Sequence, residues 1–93
     1  MEFTKPTESG YTIYSKSGCI YCDKSKMLLK IDNPVVVDCD PYLVTDSNKE
    51  EFLQFINDLA KSEHRTFPII FRDTKYVGGY SDLLQLLKND ENF

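Results

Sequence analysis

Two thiols stand three residues apart in Lys16-Ser17-Gly18-Cys19-Ile20-Tyr21-Cys22. At that spacing a pair of cysteines can exchange thiol for disulfide, or supply half of a metal site. The run before them, Tyr11-Thr12-Ile13-Tyr14-Ser15, is β-branched and aromatic and predicts a strand. The residues after Cys22 are helix formers with no Gly or Pro among them, and Ile20, Met27, Leu28 and Ile31 are expected to share one helical face. The cysteines therefore straddle a loop-to-helix junction. A helix N-terminus offers unpaired N–H groups and a positive dipole end, which favour a thiolate. Lys16 adds a nearby cation. Such surroundings lower a cysteine pKa to roughly 3.5–7.5, and the thiolate is the nucleophile of exchange.

A zinc site would need Cys39 and His64 to complete a Cys3His set. Cys39 falls in a strand pattern and His64 in a polar turn, which speaks against it. Three cysteines, an odd number, do not resemble a secreted disulfide framework. A reducing compartment, the cytoplasm, is the simplest home. A purely structural disulfide is disfavoured there.

The elements that must position the thiols follow from the rest of the chain. With 93 residues and 41% apolar content, one globular domain is expected. Residues 1–10 form a polar, loosely ordered tail, and residues 11–93 the domain. Net charge is -4, which argues against nucleic-acid binding. No apolar run approaches the roughly 20 residues of a membrane span, and no secretory h-region is visible. Asp32-Asn33-Pro34 ends the first helix. Val35-Val36-Val37-Asp38-Cys39 is a second strand, and its continuous apolar run suits a parallel strand covered on both faces. Cys39 reads as a small core residue, with a regulatory thiol as the sharper alternative.

Ser47 and Glu50 fit a capping box ahead of a helix whose Phe52, Phe55, Ile56, Leu59 and Ala60 are core. His64 is expected to be a solvated loop residue. Pro68 heads a strand to Phe71, Arg72-Asp73-Thr74 turns the chain, and Lys75-Tyr76-Val77 returns antiparallel. Gly78-Gly79 permits positive φ, and Ser81-Asp82 opens a last helix.

Strand, Lys-x-x-Cys-x-Tyr-Cys, helix, strand, helix, Thr-x-Pro, hairpin, Gly-Gly-x-Ser-Asp and helix together resemble a dithiol glutaredoxin over about residues 11 to 88. The resemblance implies an α/β thioredoxin fold, β-α-β-α-β-β-α, with a four-stranded mixed sheet flanked by helices. It implies a glutathione-dependent oxidoreductase that passes electrons to protein disulfides and glutathionylated proteins, acting as a monomer. Cys19 would attack and Cys22 resolve. Pro68 would be cis, with Thr66 and Phe67 as the segment that pairs with glutathione. Lys16 would meet the glycyl carboxylate, with help from Arg65. Gly79, Tyr80, Ser81 and Asp82 would hold the γ-glutamyl end, and Tyr21 would line the site. Glutathione is the reductant substrate, and no metal is expected.

The chain departs from the family pattern at Ile20, where Pro or Gly is usual, at Phe67 for Val, at Tyr80 for a frequent Cys, and between Lys61 and Arg65, which lacks a Gly turn. Alternative readings are a thioredoxin-like carrier served by a reductase and a glutathione-ligated iron–sulfur carrier. β-branched Ile20 beside Cys19 speaks sterically against a shared cluster.

Overall fold

The computed structural model describes residues 2–91. Its elements run β1 (Tyr11–Ser15), α1 (Ile20–Leu28), β2 (Val35–Asp38), α2 (Asp46–Ala60), β3 (Ile69–Arg72), β4 (Lys75–Gly78) and α3 (Tyr80–Glu91). The sheet order is β2-β1-β3-β4, with β1 and β2 parallel and the other neighbours antiparallel. This is the mixed four-stranded α/β architecture expected.

β1 is central, and every one of its residues is buried. Its alternation divides the core in two. Tyr14 faces α2, among Val37, Cys39, Phe52, Leu53, Ile56, Ile69 and Phe71. Ile13 and Tyr11 face the other side, with Leu29, Ile70 and Leu83. Consecutive Ile69, Ile70 and Phe71 of β3 alternate in the same way. The β3–β4 hairpin closes through Asp73 and Thr74, both at positive φ (50° and 69°), the pattern of a two-residue type I′ turn.

Four expectations are corrected. Ile20, Met27, Leu28 and Ile31 do not form a buried face; Met27 is 77% and Ile31 98% exposed. The buried stripe is Cys22, Ser25 and Leu29. Ser25 escapes a hydrophobicity reading because it is polar, yet its hydroxyl is satisfied by donating to the Tyr21 carbonyl at 2.8 Å. β2 is parallel to β1 as expected but is not covered on both faces. It is an edge strand, and Val37 alone of its valines is buried.

The N-cap of α2 is Thr45, two residues before Ser47; its hydroxyl accepts from Asn48 N–H at 3.1 Å. Glu50 is free of any capping role and pairs with Arg65. The segment before β1 has no helix or strand, but it is not loose. The Phe3 ring packs against Tyr42, Phe52 and Phe55 at centroid distances of 4.9, 5.5 and 5.3 Å. Tyr14 donates its buried hydroxyl to the Thr4 carbonyl at 2.6 Å, and Thr7 N–H donates to Thr12 Oγ1 at 2.9 Å. Gly10 and Asp73 exchange two further hydrogen bonds.

The segment is thus part of the α2-side core. Phe3→Ala is expected to lower unfolding free energy by about 1–3 kcal/mol, below the cost for a fully buried Phe because Phe3 is only partly buried. Urea unfolding followed by circular dichroism checks this; a midpoint unchanged from wild type would show that the anchor contributes nothing.

Candidate active site

β1 ends at Ser15, and the chain turns through Lys16, Ser17 and Gly18 before α1 begins. Gly18 has φ +66°, which lets the turn deliver Cys19 in extended conformation as the N-cap of α1. Cys19 Sγ accepts from Cys22 N–H at 3.2 Å. A sulfur therefore occupies the place usually taken by a Ser, Thr or Asp oxygen, facing the positive end of the helix. Cys19 is half-buried and Cys22 fully buried. Their Cα atoms are 5.2 Å apart and the sulfurs are joined.

Opposite stands the Thr66–Pro68 segment. The Phe67–Pro68 peptide is cis, as the resemblance implied. The Phe67 carbonyl oxygen lies 3.7 Å from Cys19 Sγ. The Phe67 ring turns the other way and stacks on Phe52 at 6.2 Å, nearly parallel. Lys16 Nζ sits 5.6 Å from the same ring centroid. Phe67 thus anchors its side chain on the α2 side while its backbone faces the thiol. This accounts for an aromatic residue where the family pattern has Val.

Two grooves meet at Phe67. One, of about 510 Å³, is bounded by Thr66, Phe67 and Pro68 on one wall and by Gly79, Tyr80, Ser81 and Asp82 on the other, with Tyr21 and His64. The second, of about 380 Å³, is lined by Lys16, Leu43, Lys49, Arg65, Thr66 and Phe67. A larger groove, about 570 Å³, between the β3–β4 hairpin and α3 contains none of the cysteines.

All the residues expected to flank the thiols therefore line these two grooves. Asp82 also caps its own helix: Oδ2 accepts from Gly79 N–H at 2.9 Å. A side chain at Gly78, where φ is +129°, would overlap that carboxylate. The Tyr80 ring lies tilted against Tyr21 with centroids 5.3 Å apart, and Lys24 Nζ is 5.3 Å from the Tyr21 ring centroid. Arg65 lies at the second groove, but Glu50 of α2 holds it: Nη2 is 3.0 Å from both carboxylate oxygens.

Four groove residues escaped the sequence reading: the apolar Leu43 and Leu84, and the polar Lys49 and His64. Lys49 is distant in sequence, and nothing in its spacing marks it. His64, expected in solvent, is half-buried. Its ring Nδ1 pairs with the Tyr76 hydroxyl, and its main-chain N–H donates to Asn57 Oδ1 at 3.0 Å. Burial lowers its pKa, against the opposing pull of the Thr66 and Pro68 backbone and of Asp82. The partners come from α2 and β4, so no local signal could reveal this. Among the described residues no group of three His, Cys, Asp or Glu could hold a metal, and Cys39 and His64 do not complete a set with Cys19 and Cys22.

The glutaredoxin family model matches residues 11–77 of this chain. Glutaredoxin 1 of Rickettsia prowazekii is 34% identical over 76 residues, covering 82% of this chain and 75% of that protein. Glutaredoxin 1 from Francisella tularensis, solved with cacodylate, superposes with a TM-score of 0.72 at 23% identity, over 89% of this chain and 96% of that one. A buckwheat glutaredoxin–glutathione complex gives 0.68 at 21% identity, over 88% and 71%.

Cys39 stands apart from the site. It is fully buried, its thiol donates to the Val37 carbonyl at 3.6 Å, and burial pushes its pKa up to about 12. The geometry favours the core reading over the regulatory one. The unfolded thiol ionises near about 8.5. The folded state therefore holds the proton more tightly. The resulting stability is fully present below that value and is lost as pH rises toward the folded pKa. Urea midpoints measured between about pH 8.5 and 10 should fall more steeply for wild type than for Cys39→Ala, with slopes differing by up to ~1.4 kcal/mol per pH unit. Equal slopes would contradict the buried neutral thiol.

Proposed function

The chain belongs to the glutaredoxin family and is a thiol–disulfide oxidoreductase, and we propose that it draws its electrons from glutathione to reduce protein disulfides and glutathione mixed disulfides. The observation that carries this reading is the placement of Cys19. Its sulfur caps α1, faces the Phe67 carbonyl, and has Cys22 buried behind it.

The Cys19 thiolate attacks the glutathione sulfur of a mixed disulfide, and the substrate leaves as a thiolate that takes up a proton. Cys19 is left bonded to glutathione. A second glutathione thiolate attacks that glutathione sulfur, releasing glutathione disulfide and restoring the Cys19 thiolate. With a protein disulfide, Cys19 forms the mixed disulfide and Cys22 displaces the reduced protein. Two glutathiones then reduce the Cys19–Cys22 bond. Glutaredoxin potentials of about −200 to −230 mV lie close to the glutathione pool, so the exchange runs both ways.

Glutathione spans both grooves in this reading. Its glycyl carboxylate meets Lys16, with Lys49 and Arg65 alongside. Its cysteinyl backbone pairs with Phe67. Its γ-glutamyl end reaches the N-terminus of α3, where helix N–H groups receive a carboxylate and Asp82 receives the ammonium. The buckwheat complex, a structural neighbour with glutathione bound, supports a binding site of this kind in this fold. The protein acts as a monomer in a reducing compartment, the cytoplasm. No helix among the described residues is long and apolar enough to cross a membrane. Ile20, 63% exposed beside Cys19, presents a stiff side chain where a second subunit would share a cluster, which favours the oxidoreductase over the iron–sulfur carrier.

The test is glutathione-dependent reduction of a glutathionylated small thiol, coupled to glutathione reductase. Cys22→Ser should retain this activity and lose reduction of a protein disulfide by the dithiol route. Cys19→Ser should lose both; residual mixed-disulfide turnover there would refute the assignment. Lys16→Glu should raise KM by roughly five- to thirtyfold, the loss of a charge-assisted contact of about 1–2 kcal/mol, with kcat little changed. A KM equal to wild type would place the glycyl end elsewhere.

A further inference from the structure

The last β1–β2 ladder pair is Ser15 with Asp38. One more main-chain bond extends it, from Cys39 N–H to the Ser15 carbonyl at 2.8 Å. There the chain turns into the short 3-10 segment Asp40–Leu43, and the ladder can go no further. A side chain takes over. Asp40 Oδ1 accepts from Ser17 N–H at 2.9 Å. The carboxylate is carried on a fixed turn, because Asp40 N–H donates back to Asp38 Oδ1 at 3.0 Å.

Ser17 is the middle of the turn that leads from β1 to the nucleophile. Lys16 precedes it, and Gly18, at φ +66°, and Cys19 follow. Fixing the Ser17 amide restricts both neighbours at once. The hydrogen bond from the Ser17 backbone, with smaller pulls from Lys16 and Lys26, holds the Asp40 carboxyl below the usual range.

We propose that Asp40 is a positioning residue of the exchange site: through the Ser17 amide it holds the Lys16–Gly18 turn so that Cys19 caps α1 and Lys16 faces the groove. The assignment rests on the thiol-exchange reading above and names a residue that acts on the nucleophile without touching substrate. Charge and geometry make opposite demands here. A carboxylate near Cys19 disfavours a second negative charge, so if Asp40 acted by charge alone its removal would ease formation of the thiolate. As a positioning residue, its removal weakens the cap and hinders the thiolate.

The test compares reduced wild type, Asp40→Ala and Asp40→Asn. The Cys19 alkylation rate by iodoacetamide is followed against pH by mass spectrometry. kcat and KM are measured for a glutathionylated small thiol, and thermal unfolding reports the fold. In Asp40→Ala the alkylation profile should move to higher pH, and KM should rise roughly three- to tenfold, the loss of one hydrogen bond. Asp40→Asn keeps an oxygen that can accept from Ser17 and should restore the wild-type profile. Asp40→Ser, too short to reach the amide but suited to opening a turn, should behave as Asp40→Ala and serves if the alanine variant does not fold. A profile unchanged or moved to lower pH in Asp40→Ala and Asp40→Ser overturns the proposal. So does an Asp40→Asn as impaired as Asp40→Ala. Alkylation needs no glutathione, so absence of turnover in wild type would count against the glutathione reading alone and leave this arm to decide on Asp40.

Discussion

The hydrogen bond from Cys22 N–H to Cys19 Sγ imposes its requirements on much of the molecule. It exists because α1 begins at Ile20, which leaves the first-turn amides without main-chain partners. For α1 to begin there, β1 must stop at Ser15 and the chain must turn within three residues. For β1 to point at that turn, it must be fixed along its length. Its central place in the sheet and its two-sided burial achieve this. The sulfur then meets a fixed array of dipoles whose orientation was set during folding, so stabilising charge on it requires little further rearrangement.

The same economy governs Phe67. One residue presents its backbone to the thiol and anchors its ring elsewhere. The ring packs among Phe52 and its neighbours on the α2 side, while the carbonyl faces Cys19. A ring buries more apolar area than the Val usual in the family pattern, and it gives Lys16 a cation–π surface. The aromatic cluster then extends through Phe52 to Tyr42 and Phe3. The polar opening segment is thereby linked, through consecutive ring contacts, to the wall of the active site.

What could be seen in the sequence, and what could not, divides by range. β1, the hairpin and the order of elements were legible because strand pattern, turn residues and a Cys pair at a junction are local signals. The face of α1 was not, because within the helix its burial runs through the small residues Cys22 and Ser25 and reaches a large apolar one only at the cap residue Leu29. The N-cap of α2 was missed in favour of a better-known pattern two residues later. Thr45 satisfies the same amide chemistry without a Glu reaching back. His64 and Lys49 were invisible for a deeper reason. Their roles are created by neighbours from other elements, and a hydrophilic residue in a loop gives no sign of whether its partner is water or a tyrosine hydroxyl.

Local pairing also decides which charges remain available at the site. Net charge is -4, yet the second groove is lined by Lys16, Lys49 and Arg65. These three are not equivalent. Arg65 is bound by both oxygens of Glu50, so from the groove the pair appears close to neutral. Among the described residues neither Lys16 nor Lys49 makes an ion pair. An anion entering here meets two ammonium groups outside any ion pair among the described residues, with the Asp40 carboxylate in the vicinity of Lys16, and a neutralised guanidinium beside them. Exposed charges are screened beyond about 10 Å at ordinary ionic strength. The acidic surface elsewhere therefore does little to cancel this local field. A chain of acidic composition can in this way keep a cationic entrance to its thiol. The local field there depends on which basic side chains are ion-paired to a carboxylate, and the -4 total carries no information about that.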